Sequence, residues 1–197
     1  MRKIKLDDFS YWLFTLYNEV EFVGYRIKDV MISETEIKDR VKMLAEQIEK
    51  DFNNEAIILI VVLKGSFIFA ADLIREMKGN INIDFISVSS YGNETESTGK
   101  VRLLKDLDAN ITNQNVLVVE DIIDSGLTLH FLRGHLKAHK PKQIKICTLL
   151  DKPERRRVDL PVDYVGFVIP DEFIVGYGID YAQMYRNLPY ISTVEEY

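Results

Sequence analysis

Apolar residues early in the chain recur at the spacing of a helix, and a short unbroken apolar run follows them. The helical series advances by four, three, four and four positions, through Ile37, Val41, Leu44, Ile48 and Phe52. Ser33 and Glu36 precede it in the arrangement of a capping box, in which each side chain accepts a hydrogen bond from the other residue's backbone. The run over residues 56–63 is too short for a core helix and too continuous for a half-exposed strand. The pattern predicts a helix from Ser33 to about residues 53–54, then a buried parallel strand.

The same alternation of helix and strand patterns continues through the rest of the chain. Gly65 opens an apolar helical segment, and the strand pattern INIDFISVSS over residues 81–90 completes a β-α-β unit, which requires a right-handed crossover. Three further strands are predicted over residues 116–120, 144–150 and 164–169, with a helix over residues 127–139. Strands that alternate with helices favour an α/β fold with a mostly parallel sheet.

Two segments do not follow this alternation. The stretch from Tyr91 to Asn115 begins with the polar run YGNETESTGK and is too long for a tight connection. We predict a flexible flap there. Residues 1–28 mix aromatic and charged residues without a clear period and match no motif, so we treat them as an N-terminal extension.

Charge and cysteine content narrow the classes of partner. The chain has 25 basic and 31 acidic residues, a net charge of −6, which does not favour binding to nucleic acid or to an anionic membrane. Cys147 is the single cysteine, so an intramolecular disulfide and a four-cysteine metal site are excluded, and a reducing compartment is favoured. We therefore expect a cytoplasmic protein with no nucleic-acid or membrane partner.

The segment VLVVEDIIDSGLTL, residues 116–129, carries the most chemistry. We expect Glu120 and Asp121 at the carboxyl end of a strand, where open α/β sheets bind ligands. Neighbouring carboxylates there can accept two vicinal hydroxyls or hold a hydrated divalent cation. The turn that follows supplies N–H groups, hydroxyls and a glycine at a helix N-terminus, as in a phosphate cradle: Asp124, Ser125, Gly126, Leu127 and Thr128. Taken singly, each of these residues is better explained as a helix cap or a solvated strand end, and only their combination favours a binding site.

The order of residues in this segment closely resembles the phosphoribosyl pyrophosphate motif of the type I phosphoribosyltransferases. From about residue 29 onward, the chain resembles the hypoxanthine-guanine phosphoribosyltransferases, particularly the short bacterial kind. The resemblance implies the α/β fold of that family: a central, mostly parallel sheet flanked by helices, a flexible flap, and a small C-terminal hood over about residues 165–197. It divides the chain into the extension, residues 1–28, and a phosphoribosyltransferase domain, residues 29–197.

The resemblance also implies a reaction of purine salvage. Such enzymes are glycosyltransferases that move the phosphoribosyl group of 5-phosphoribosyl 1-pyrophosphate (PRPP) to hypoxanthine or guanine, giving IMP or GMP and pyrophosphate. They use Mg²⁺ and form homodimers or homotetramers. A ranking of hypoxanthine, guanine and xanthine does not follow. The alternative is a regulatory protein that binds PRPP as a sensor and does not convert it. Such a regulator should carry a nucleic-acid-binding element, but residues 1–28 show no helix-turn-helix pattern and no basic face.

Three short segments acquire roles only through the resemblance. LKGS at residues 63–66 matches the pyrophosphate-binding loop, with Lys64 and Gly65 in contact with phosphate and a cis bond before Lys64 in some states. Ser90 and Tyr91 match the pair that opens the flap, which would close over the reaction centre. Lys152, in LLDKPERR, would donate to the purine O6, and because a lysine can donate but not accept, it would disfavour a 6-amino base. Without the family, Lys152 is a residue of a solvated basic turn.

The segment PDEFIVGYGIDYAQMYRNLPYI, residues 170–191, matches the base-binding hood. Phe173 would stack on the purine, and the backbone of Ile174 would meet its Watson–Crick edge. Asp180, beside the base, would help Glu120 and Asp121 hold magnesium, and Arg186 would reach the pyrophosphate. Asp124 would face N7 of the base and take up its proton, as the catalytic base. For the other aromatic residues of this segment, core packing is the simpler interpretation.

Three histidines lie on the predicted helix over residues 127–139. His135 and His139 are four positions apart, the spacing of a helical pair of metal ligands. No third ligand is evident from the sequence, so a solvated helix face is the favoured interpretation.

Overall fold

The protein is described here by a computed structural model that covers residues 25–91 and 100–196. Its elements, in chain order, are β1 (Tyr25–Ile32), α1 (Glu34–Asp51), β2 (Ile57–Leu63), α2 (Phe67–Glu76), β3 (Ile81–Tyr91), β4 (Lys100–Lys105), β5 (Asn115–Ile123), α3 (Leu127–Ala138), β6 (Gln143–Asp151), a 3₁₀ turn (Pro153–Arg155), β7 (Tyr164–Val168), β8 (Ile174–Val175) and β9 (Ile191–Glu196). The main sheet has six strands in the order β4-β3-β2-β5-β6-β7, parallel except for the antiparallel edge strand β4. The predicted α/β class is confirmed.

The central strand β2 is buried on both faces of this sheet. Leu59 and Val61 pack into a core with α1 and α2, whereas Ile58, Ile60 and Val62 pack into a second core with α3. Because alternate side chains of a strand point to opposite faces, a strand covered on both sides needs an unbroken apolar run. The buried parallel strand predicted over residues 56–63 is therefore confirmed, and its burial on both faces explains the unbroken apolar run.

Helix α1 begins as predicted. The Ser33 hydroxyl accepts a hydrogen bond from the backbone of Glu36, and the Glu36 carboxylate accepts one from the backbone of Ser33 at 2.9 Å. This capping box satisfies two N–H groups that a helix start leaves without partners. The helix ends at Asp51, and Phe52, only 1% exposed, completes its apolar face.

A second, antiparallel sheet of three strands, in the order β1-β9-β8, forms the hood. Tyr25 lies opposite Glu196, and Ile32 lies opposite Ile191. The hood therefore includes residues from the beginning of the described chain, among them residues 25–28, which the sequence analysis places in the extension.

Two elements differ from the sequence-based expectation. Residues 100–105, predicted as part of the flap, form the edge strand β4; its Lys and Arg residues keep an edge strand solvated and hide the usual apolar pattern. Strand β5 continues to Ile123, because its pairing with β6 extends to Asp151, so Glu120 and Asp121 lie within the strand rather than after it. Among the described helices, none is long and apolar enough to cross a membrane.

Candidate active site

The loop after β2 approaches β5 closely at Gly65. Val61 lies opposite Val119, so the residues that follow β2 reach β5 at the level of Asp121. A β-carbon on Gly65 would lie 1.6 Å from Oδ2 of Asp121, so no other residue fits without displacing that carboxylate. The peptide bond between Leu63 and Lys64 is cis, as expected from the family resemblance.

Glu120, which is partly buried, and Asp121, which is buried, are adjacent carboxylates of β5. Asp121 is 9% exposed and accepts a hydrogen bond from the backbone of Ile122 at 2.9 Å. Oε2 of Glu120 is buried and has no hydrogen-bond partner among the described residues. Burial and the neighbouring charge of Asp121 raise the pKa of Glu120 well above its ordinary value, and burial also raises the pKa of Asp121. Buried carboxylates without full compensation are costly, which makes this pair suited to a cation or to hydroxyl donors.

Replacing Glu120 by glutamine is expected to stabilise the ligand-free protein near pH 8, because the amide removes a charge that burial disfavours. A gain of about 1 kcal/mol corresponds to a rise of roughly 2–4 °C in the unfolding midpoint for a chain of this size. The sign follows from the raised pKa: above the ordinary value of 4.5, the unfolded chain releases this proton while the folded chain still holds it. The advantage of the variant should therefore be small near the ordinary value and grow as the pH rises.

Thermal unfolding of both proteins across this pH range measures the effect. Glu46→Gln, at an exposed position of α1, is the matched control and should show no comparable pH-dependent gain. If Glu120→Gln were less stable than the wild type at neutral pH, the carboxylate would be a net stabilising group and the interpretation would be wrong.

The turn between β5 and α3 has the features of a phosphate cradle. Gly126 is the N-cap of α3 with φ of 78° and has no side chain to cap the helix, while the hydroxyl of Ser125 accepts a long hydrogen bond from the backbone of Leu127 at 3.4 Å. The first turn of α3 borders a small cavity of about 100 Å³, lined by Glu120, Ile122, Ile123, Asp124, Ser125, Gly126, Thr128 and Leu129. The N–H groups and the positive end of the helix dipole favour an anion there.

Asp124, at the edge of this cavity, is held by an arginine rather than by the helix. Its Oδ1 accepts a hydrogen bond from Nε of Arg155, and Nη1 of Arg155 lies 3.0 Å from Oδ2 of Asp171. Hydrogen bonds from Arg155 to Asp171 and to Asp124 raise the pKa of the guanidinium. The helix-cap interpretation of Asp124 is therefore wrong, since Gly126 occupies the cap. Arg155 was missed because, in the sequence, it is one of several basic residues of a turn.

Lys152 directly follows β6 and is buried rather than solvated, with 8% of its surface exposed. Its backbone N–H donates to the carbonyl of Ile123 at 2.9 Å, which places it beside the end of β5. Its Nζ donates to the carbonyl of Glu172 at 2.6 Å and lies 3.6 Å from Oδ1 of Asp171. The ammonium is thus fixed between the main sheet and the start of the hood.

Phe173 directly follows Glu172, the residue whose carbonyl accepts the hydrogen bond from Lys152. Phe173 is 52% exposed, and its ring makes an edge-to-face contact with the ring of Tyr181, with 5.7 Å between centroids. Ile174, by contrast, is buried and pairs through β8 with Thr193. An exposed ring held in a fixed orientation can stack on a planar ligand. Tyr181, given no role from the sequence, supports that ring.

A network of polar side chains surrounds the loop after β2. Nη2 of Arg186 lies 2.7 Å from Oδ1 of Asp180, and Nη1 donates to the Gly178 carbonyl at 2.6 Å. Nζ of Lys64 donates to Oε1 of Gln183 at 3.1 Å, while the Gln183 backbone donates to Asp180 at 2.8 Å. Gln183 thus joins the two cations predicted to bind pyrophosphate. It lies within the quoted hood segment but carries no charge, and the family resemblance assigns it no role.

The hood is packed against the loop after β2 at a second glycine. A β-carbon on Gly178 would lie 2.0 Å from the carbonyl oxygen of Gly65, and the φ of Gly178 is 101°. The sheet and the hood therefore meet at two glycines with no room for side chains. Asp121 of the main sheet and Arg186 of the hood, which donates to the Gly178 carbonyl, both lie at this contact.

The flap residues are only partly placed. Ser90 and Tyr91 are the last residues of β3, and residues 92–99 lie outside the described residues. Closure of the flap over the site stays a prediction.

A larger cavity, of about 410 Å³, lies elsewhere, between α1, α2 and residues 187–189. Its polar contacts include the hydroxyl of Tyr177, which donates to Asp72 at 2.7 Å. It contains neither adjacent buried carboxylates nor a helix N-terminus at a glycine turn. Chemistry, rather than volume, identifies the smaller cavity as the candidate site.

Comparison with known proteins shows the family of this chain. The sequence model of the protein family described as phosphoribosyl transferase domain matches residues 32–182 of this chain. A hypoxanthine phosphoribosyltransferase of Buchnera aphidicola is 58% identical over 167 residues, which are 84% of this chain and 94% of the relative. A hypoxanthine-guanine phosphoribosyltransferase of Bacillus subtilis is 48% identical over 169 residues, 86% of this chain and 94% of the relative. The crystal structure of a hypoxanthine-guanine phosphoribosyltransferase from Bacillus anthracis superposes with a TM-score of 0.82 at 66% identity, covering 86% of this chain and 98% of that one. This chain belongs to the phosphoribosyltransferase family, among the hypoxanthine and hypoxanthine-guanine phosphoribosyltransferases.

Proposed function

We propose that this protein is a purine-salvage glycosyltransferase that transfers the phosphoribosyl group of PRPP to hypoxanthine or guanine, releasing pyrophosphate. The observation that carries the proposal is the course of β5 into α3. It delivers two adjacent carboxylates, the buried Asp121 and the partly buried Glu120, and then a glycine turn at a helix N-terminus. These groups match a sugar phosphate: the carboxylates can accept hydrogen bonds from vicinal hydroxyls, and the turn can bind the phosphate.

Each part of PRPP has a counterpart in the site. Glu120 and Asp121 accept hydrogen bonds from the ribose hydroxyls, and the turn of residues 124–128 binds the 5′-phosphate. Lys64, Gly65 and Arg186 bind the pyrophosphate. Gln183 supports this last assignment, because its contacts with Lys64 and Arg186 hold both cations near the Gly65 loop. Fixing the substrate in this way removes much of the entropic barrier to reaction.

The reaction is a substitution at the anomeric carbon. The purine N9 attacks as pyrophosphate leaves, through a transition state with oxocarbenium character. Positive groups near the leaving group, above all Arg186, stabilise the charge that develops on it. Asp124 takes up the proton at N7 as the purine becomes a nucleophile. The base thereby replaces Arg155 as the partner of the Asp124 carboxylate.

Magnesium is the proposed cofactor, and the carboxylates fit it. Mg²⁺ prefers oxygen ligands and is commonly held by one or two carboxylates, several waters and substrate phosphates. Glu120 and Asp121 are adjacent, and the unpartnered Oε2 of Glu120 is available to a cation or its water. Asp180 lies on the hood in an ion pair with Arg186 and is the third proposed ligand. When bound, the ion offsets negative charge on the pyrophosphate.

We propose that Lys152 sets the choice of base, whereas Phe173 stacks on every purine to a similar extent. Lys152→Gln is expected to narrow the preference for hypoxanthine over adenine, because an amide can donate to a 6-oxo group or accept from a 6-amino group. In the wild type, the ammonium N–H that meets the base would have no acceptor when the base presents an amino group, although the ammonium keeps its hydrogen bond to the Glu172 carbonyl. Specificity constants for hypoxanthine, guanine and adenine measure the change.

Phe173→Ala is the matched control. Loss of stacking should weaken every purine similarly, by about 1–3 kcal/mol, and raise each Michaelis constant with the ranking kept. An unchanged hypoxanthine-to-adenine ratio in Lys152→Gln would remove the role given to Lys152.

One assay tests the proposed function as a whole. The protein is incubated with PRPP, Mg²⁺ and each purine in turn, and the nucleotide monophosphate is detected. Formation of IMP or GMP supports the enzyme and ranks hypoxanthine, guanine and xanthine. Tight binding of PRPP without any product would instead indicate a sensor.

We further propose that the enzyme is a cytoplasmic homodimer or homotetramer. Exposed apolar side chains support assembly: Ile83 and Phe85 share one face of β3 and are 45% and 41% exposed, and Phe67 of α2 is 44% exposed. The single cysteine, Cys147, is buried and unpaired, which suits a reducing compartment. Light scattering after size exclusion gives the number of subunits.

A further inference from the structure

Three potential metal ligands converge on one side of α3, away from the residues assigned to catalysis. Asp106 follows β4, whereas His135 and His139 are one turn apart on α3. One ligand atom from each of the three side chains lies within 4.8 Å of the other two. Nε2 of His135 is 2.8 Å from Oδ1 of Asp106, and the His135 and His139 rings are 5.2 Å apart. Asp106 is thus a third potential ligand, which the sequence did not reveal.

The three side chains are oriented by their neighbours. The Asp106 carboxylate accepts a hydrogen bond from the backbone of Leu107 at 2.8 Å. The His135 ring lies nearly parallel to that of Phe131, at 8°, with 6.4 Å between centroids. Support of this kind around the ligands fixes their geometry and strengthens metal binding. Lys105 directs its ammonium to Asp108 and to backbone carbonyls, so it does not occupy the Asp106 carboxylate.

The arrangement suits a transition metal rather than magnesium. Two imidazoles and a carboxylate are ligands for Zn²⁺ and its neighbours, with metal–ligand distances of about 2.0–2.2 Å. Small side-chain rotations would bring the three ligand atoms to that distance from a common centre, because two of the three residues are exposed. The site also lies at the C-terminal end of α3, where His139 is the C-cap and the helix dipole favours a cation.

We propose that Asp106, His135 and His139 bind a divalent transition-metal ion such as Zn²⁺, and that the ion fastens the end of β4 to the last turn of α3. This site is separate from the magnesium site of the reaction. It joins the segment after β4 to the helix whose first turn forms the phosphate cradle. A water molecule completes the coordination, as is usual where the protein provides three ligands.

The test uses the full chain, stripped of metal with a chelator and then titrated with Zn²⁺ by calorimetry. One equivalent per chain is expected to bind through this site. His139→Gln should weaken that binding by at least about 100-fold, since even loss of an outer-shell partner costs about 10–100-fold. His130→Gln is the matched control, because His130 is an exposed histidine of the same helix outside the cluster. It should bind Zn²⁺ as the wild type does.

A second measurement separates this site from adventitious binding at Glu120 and Asp121. The chain has only three histidines, so their ring signals can be followed individually by NMR. Zn²⁺ should shift those of His135 and His139 and leave that of His130 unchanged, and it should raise the unfolding midpoint of the wild type but not of His139→Gln. Zn²⁺ binding that survives His139→Gln and is lost in Glu120→Gln would overturn the proposal, as would equal losses in the two histidine variants.

Discussion

Replacing Asp124 by asparagine is expected to lower kcat by about 10²–10⁴, the usual contribution of a general base, while PRPP affinity stays near that of the wild type. The amide has almost the same shape and can still accept a hydrogen bond from Arg155, so the turn should keep its structure. It cannot take up the proton at N7. Steady-state kinetics with hypoxanthine, together with calorimetric titration of PRPP, measure the two effects separately.

Arg155→Gln provides the matched control for this prediction. It breaks the ion pair with Asp124 but keeps the carboxylate, so turnover should stay within about tenfold of the wild type, well above that of the asparagine variant. Wild-type turnover in Asp124→Asn would show that the assigned role is wrong. Equal losses in the two variants would place the function in the ion pair rather than in the base.

Removal of magnesium is expected to abolish the reaction altogether. Without the ion, the anionic pyrophosphate and the adjacent carboxylates of Glu120 and Asp121 would face one another unscreened. Activity is measured in excess chelator and again after Mg²⁺ is restored. Chelator saturated beforehand with Mg²⁺ is the control for direct inhibition. Activity that persists in excess free chelator would contradict the proposed role of the metal.

Local patterns made much of the fold predictable from the sequence. The capping box of Ser33 and Glu36 and the helical spacing after it depend only on neighbours along the chain. The unbroken run of β2 follows from burial on both faces of a parallel sheet. Strand β4 could not be predicted in this way, because the polar residues of an edge strand give a sequence pattern like that of a loop. The hood strands were hidden as well: β8 has two residues, and β1 and β9 pair across almost the whole described chain.

In the candidate site too, residues that are close in sequence could be predicted, and contacts between distant residues could not. Residues 120–128 could be predicted because one strand and one turn bring them together. The partners that hold the site are distant in sequence: Arg155 is 31 positions from Asp124, and Gln183 is 119 positions from Lys64. No periodicity marks such pairs. Lys152 shows the limit most clearly, since its local sequence is that of a solvated turn and only the packing of β6 against the hood buries it.

The pairing of β1 with β9 has a consequence for the order in which the protein can be assembled. Closing a loop costs more conformational entropy as the loop lengthens, and contacts between distant segments form slowly. The contacts of β2, β5 and α3, which position the groups proposed to hold the sugar and its phosphate, join segments that are much closer in the chain. On a ribosome, those segments are available before the final strand has been made. The half of the protein that is proposed to bind phosphate can therefore take shape first, and the hood, with the ring proposed to stack on the base, is completed last.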